Sequence, residues 1–110
     1  INKLYFRKNV KKLVSDYADY AIKNKLDGIV CSPHEIKTIK KIAGNKLTII
    51  TPGIRYAKNL KKDDQKRTMS AGKAISLGAD FVVIGRPITE AKNPKNQLNK
   101  INLEIERYQN

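Results

Sequence analysis

Two runs in this 110-residue chain stop on a glycine and an arginine where a strand would end: Thr51-Pro52-Gly53-Ile54-Arg55 and Ile84-Gly85-Arg86-Pro87. Glycine lets the backbone come close to a ligand, and arginine offers a planar fork of donors. Proline then ends the strand. Such an ending sets a guanidinium and a free backbone N–H at the carboxyl end of a strand, where a phosphate or carboxylate is the natural guest. A surface arginine that merely follows a strand carries the same letters, so each run alone leaves both readings open. Two convergent arginines are more specific than one.

The other reactive side chains are sparse. His34 is the only histidine and follows Ser32-Pro33, where Ser32 as N-cap, Pro33 in the first turn and Glu35 as partner of a capping box predict a helix start. A histidine there is a helix-start residue before it is a catalyst. Cys31 is the only cysteine, so no internal disulfide and no cysteine metal cluster is available. At the end of an apolar run it reads as a small buried thiol.

The elements that hold these groups repeat. From Asn9, Val10, Leu13, Val14, Tyr17, Ala18, Ala21 and Ile22 form one helical stripe. Gly28-Ile29-Val30-Cys31 predicts a short buried strand. Ile36, Ile39, Ile42 and Ala43 face inward on the next helix, which Gly44 ends. Lys46 to Ile50 is a second strand, and 56–68 is a polar loop of the kind that carries function. Ser70 caps a helix with Ala71, Ala74, Ile75 and Leu77, closed by Gly78. Phe81 to Ile84 then predicts a third strand, buried on both faces. Asn93-Pro94 opens a last helix with Leu98, Ile101, Ile105 and Tyr108 inward. Strands joined through helices make a parallel α/β sheet. Three strands leave open edges, so the pattern predicts part of a larger barrel or sheet.

Composition narrows the partners. The net charge is +13, from 23 Lys and Arg against 10 Asp and Glu. That favours anions, but the lysines are scattered over every segment and aromatics are only 6%, so no basic aromatic stripe marks a nucleic-acid binder. No apolar run is long enough to span a membrane and no signal peptide is recognisable, so a cytoplasmic protein is expected. The chain opens on Ile1 and its one methionine is Met69, which is the expectation for part of a longer product.

In (β/α)₈ barrels a phosphate site is often built from the loops after the last two strands, and the two Gly/Arg endings fit that layout. Together with Asp27-Gly-Ile-Val-Cys-Ser32 and Asp64-Gln65-Lys66-Arg67, their order and spacing resemble the carboxyl-terminal portion of orotidine 5′-phosphate decarboxylases, from about Val10 to the final helix. The resemblance implies a partial TIM (β/α)₈ barrel: its last three parallel strands with their helices, forming one incomplete domain over residues 1–110. It implies the phosphate grip of that family at Arg86 and the N–H of Gly85. Gln65 resembles the glutamine that reaches over the phosphate, and Arg55 an arginine among the substrate contacts. Asp63 departs from the family, which usually has glycine there.

The reaction so implied is decarboxylation of orotidine monophosphate to uridine monophosphate without a cofactor, a step of de novo pyrimidine biosynthesis. Its lysine, set in an Asp–Lys–Asp–Lys network, protonates the ring carbanion through preorganised electrostatics. The motif Asp-x-Lys-x-x-Asp that carries this network is missing. Asp64-Gln65-Lys66 begins the pattern, but its third acid falls at Met69. The expectation is therefore a phosphate-binding half-site, inactive alone, whose partners are the nucleotide and the amino-terminal half of a barrel that is homodimeric when intact. A catalytically inactive remnant or nucleotide-binding module is the alternative, and a basic nucleic-acid binder a further one.

Overall fold

A computed structural model describes residues 10–54 and 69–109. Helix α1 (Val10–Lys23) forms where the apolar stripe predicts it, and buries Ala18 and Ala21. Its outer face carries two ion pairs one turn apart, Lys12–Asp16 and Asp19–Lys23, each 3.0 Å long. Exposed pairs of this spacing each contribute about 0.3–0.5 kcal/mol, so the helix is held mainly by its buried face. It ends with Lys25 in the left-handed region at φ 57°, where the Leu26 N–H donates to the Ala21 carbonyl.

Strand β1 (Gly28–Val30) leads into a 3₁₀ turn (Pro33–Glu35) and helix α2 (Ile36–Ala43), closed by Gly44 at φ 54°. The capping box expected at Ser32 does not form. Ser32 is extended, its side chain caps nothing, and the Glu35 N–H donates to the Ser32 carbonyl instead. The tighter turn satisfies by backbone what the serine hydroxyl was expected to satisfy. Strand β2 (Thr48–Thr51) is followed by Ile54, which forms a parallel bridge with Met69. The predicted loop 56–68 lies outside the described residues.

Helix α3 (Ala71–Leu77) starts as predicted, with the Ser70 hydroxyl accepting the Lys73 N–H at 3.4 Å. After strand β3 (Phe81–Val82) comes a one-turn helix α4 (Arg86–Thr89), then helix α5 (Pro94–Gln109). The Asn93 side chain takes the Asn96 N–H at 3.1 Å and so caps α5. Helix α4 was not anticipated, although a proline in its first turn is a helix-start signal. Gly72 is buried where α3 meets α5: a β-carbon there would strike the Tyr108 ring and lie 3.0 Å from the Glu104 carbonyl oxygen. The Glu104 carboxylate also accepts the Gly72 N–H at 2.9 Å, tying the two helices together.

The sheet is parallel in the order β1-β2-β3. Ile29 pairs with Ile49 on one face, whereas Val30 pairs with Ile50 and Ile50 with Phe81 on the other. The first face packs on the helices: Ile49 is 0% exposed and shares a core with Ile36, Ile39, Ala43, Ala74 and Ile101. The second face is bare, with Val30 66% and Phe81 62% exposed. The expectation of a third strand buried on both faces is thus corrected. An apolar run identifies a strand, but burial of its second face needs a second layer, and the described residues supply only one. Leu98 and Tyr108 are likewise exposed rather than inward on α5, although the Tyr108 ring lies against Gly72.

At the amino-terminal end of β3, Asp80 grips Ile49 twice. Its N–H donates to the Ile49 carbonyl at 2.9 Å, and its carboxylate accepts the Ile49 N–H at 2.8 Å.

Candidate anion-binding rim

Because the three strands are parallel, their carboxyl ends open on one rim. The Val83 N–H donates to the Thr51 carbonyl at 2.9 Å, so Pro52-Gly53 and Ile84-Gly85-Arg86 leave the sheet side by side. Gly53 holds φ 76°, the positive value a Pro-Gly turn requires. A β-carbon on Gly53 would stand 4.0 Å from the Pro33 ring, which brings the turn after β1 to the same rim.

Gly85 presents the most open backbone of the rim. A β-carbon there would meet nothing within 4 Å, so packing does not demand glycine. Its carbonyl is committed, accepting the Ile88 and Thr89 N–H groups at 3.0 Å each, which fixes the peptide that carries Arg86. Arg86 is exposed and makes no ion pair among the described residues. A fixed glycine with clear space above it and an exposed guanidinium on the next residue can receive an oxyanion. The other two expected contacts, Arg55 and Gln65, fall outside the described residues, as do Asp63, Asp64 and Lys66.

The remaining reactive groups are placed for structure. Cys31 stands at the end of β1, with Sγ 3.9 Å from Thr51 Oγ1. Burial pushes its thiol above the ordinary value; the Thr51 contact opposes this and the Glu35 charge adds to it. It is therefore a protonated thiol at neutral pH and a poor nucleophile. Thr51 is completely buried, a polar group under the rim that sequence reasoning passed over because threonine is an ordinary strand residue. His34 is exposed on the 3₁₀ turn, with no carboxylate or nucleophile bonded to it among the described residues. No group of three or more metal-ligating side chains gathers among the described residues, and no described helix is long and apolar enough to cross a membrane.

Residues 2–101 match the profile of the orotidine 5′-phosphate decarboxylase / HUMPS family. The chain belongs to that family. It is 44% identical over 100 residues to the orotidine 5′-phosphate decarboxylase of Bradyrhizobium diazoefficiens, covering 91% of this chain and 42% of that one. It is 56% identical over 69 residues to the Legionella pneumophila (strain Corby) enzyme, covering 63% and 30%. Among solved structures, the Lactobacillus acidophilus decarboxylase superposes with a TM-score of 0.72 at 31% identity, covering 90% of this chain and 39% of that one. The Methanocaldococcus jannaschii enzyme, solved with the inhibitor BMP, superposes with a TM-score of 0.57 at 28% identity, covering 83% and 39%. The chain thus spans less than half the length of these orotidine 5′-phosphate decarboxylases, and its sheet and helices are a partial α/β barrel of the family's type.

Proposed function

We propose that this chain is the carboxyl-terminal, phosphate-binding part of an orotidine 5′-phosphate decarboxylase. The observation that carries the reading is Arg86, exposed and without an ion pair among the described residues, beside the open Gly85 at the carboxyl ends of parallel strands in a chain of this family. The nucleotide phosphate lies against the Gly85 N–H and the Arg86 fork, with Gln65 and Arg55 as further contacts. Binding energy from that phosphate is realised at the pyrimidine ring, where loss of CO₂ from orotidine monophosphate leaves a carbanion to be protonated. The proton donor and its acidic partners belong to the amino-terminal strands of the barrel, which also cover the bare face around Val30 and Phe81. The intact enzyme is a cytoplasmic homodimer that needs no cofactor. This chain alone grips nucleotide and does not turn it over.

Calorimetric titration of the chain with uridine monophosphate tests the reading. Saturable binding is expected, and Arg86→Ala should weaken it by about 1.5–3 kcal/mol, the range for hydrogen bonds to charged groups. Arg86→Lys should weaken it too, since a point charge does not replace a fork. Equal affinity in parent and Arg86→Ala removes Arg86 from the site. Measurable decarboxylation by the chain alone would show that the missing lysine has been wrongly assigned.

A further inference from the structure

A cleft of about 200 Å³ opens between the start of α2 and one flank of α3, lined by Pro33, His34, Lys37, Met69, Lys73 and Leu77. We propose that it is a second anion site, separate from the Gly85–Arg86 rim, and that it takes a small organic phosphate. Two ridges build it. His34 and Lys37 are three residues apart and line one wall, while Met69, Lys73 and Leu77 recur every four residues along the other. The walls carry two lysines and the chain's only histidine, and no carboxylate among the described residues lines the cleft.

The two lysines make no ion pair among the described residues. The ion pairs among the described residues sit on α1, and the one lysine of α2 with a side-chain partner is Lys40, which donates to Asn45 at 3.1 Å. Lys37 and Lys73 are exposed, whereas Pro33 is buried and Met69 and Leu77 are half-buried. Two lysines bordering one cleft with apolar lining focus a positive potential there, and an anion in the cleft relieves their repulsion. The lining selects among anions. A phosphate between Lys37, Lys73 and His34 leaves its organic part to lie on Pro33, Met69 and Leu77, which inorganic phosphate cannot exploit. Pro33 stands at the edge of the rim beside Gly53, but Lys37 and Lys73 do not line the rim, so replacing the two lysines tests the cleft without touching Gly85 or Arg86.

Amide chemical-shift titrations of the full chain with phenyl phosphate and with inorganic phosphate, at constant ionic strength, decide the matter. Saturable shifts at His34, Lys37 and Lys73 are expected, several-fold tighter for phenyl phosphate. They should survive Arg86→Ala and weaken at least ten-fold in the Lys37→Gln/Lys73→Gln variant. Unsaturable shifts spread over the lysines of α1, α2 and α5 would mean diffuse screening and overturn the proposal. So would equal affinity in the double variant, or shifts confined to Gly85 and Arg86.

Discussion

Ile49→Ala is expected to abolish cooperative unfolding of the chain at 25 °C. Ile49 is completely buried on the central strand, and its register partner Ile29 and the helices enclose it on the packed face. Truncating such a side chain costs roughly 2–5 kcal/mol, partly as lost transfer energy and partly as the cavity left behind. Total stabilities are only about 5–15 kcal/mol, and a chain this short that packs its sheet on one side belongs at the low end. Circular dichroism against urea reads the result. Phe81→Ala removes a larger side chain from the bare face of the same sheet and should move stability by no more than about 0.5 kcal/mol. If Phe81→Ala proves the costlier change, the core lies on the other face.

Gly28→Ala is expected to be nearly as damaging, for the opposite reason. The added β-carbon would lie 2.6 Å from the Thr48 carbonyl oxygen and 3.1 Å from the Thr48 β-carbon. Thr48 is the register partner of Gly28, so relief requires the first two strands to part. Overpacking costs about 1–3 kcal/mol where side chains can adjust, and backbone adjusts less readily. Gly85→Ala is the matched control: with open space around its β-carbon, stability should be unchanged while uridine monophosphate binding falls. A destabilised Gly85→Ala protein would mean that this glycine serves the fold rather than the ligand.

What sequence made legible here follows from what is local. Gly44, Gly78, Ser70 and Asn93-Pro94 act within one turn of themselves, and each helix boundary they predicted is observed. The parallel order followed from the alternation of strands and helices. The capping box at Ser32 failed because a backbone bond within the same four residues competed with it. The burial of Phe81, Leu98 and Tyr108 was misread because the face of a strand or helix that is covered depends on chain far away in sequence. At the candidate site, Gly85 and Arg86 were found from a strand ending. Lys37 and Lys73 were not, because only packing α2 against α3 brings them to one cleft, and lysine in a chain of net charge +13 carries little signal.

The double grip of Asp80 on Ile49 works as a ruler. It lies at the opposite end of β3 from Arg86, yet it sets how far the strand protrudes. Side chains alternate, so a parallel strand can slip only by two residues and keep its faces. Such a slip moves it about 6.6 Å along its neighbour. Arg86 would then stand a phosphate's width too high or too low over Gly53 and Thr51. Two hydrogen bonds to one residue, on backbone and carboxylate, define the zero from which that height is counted. The reach of the guanidinium is thereby set at the end of the strand farthest from any ligand.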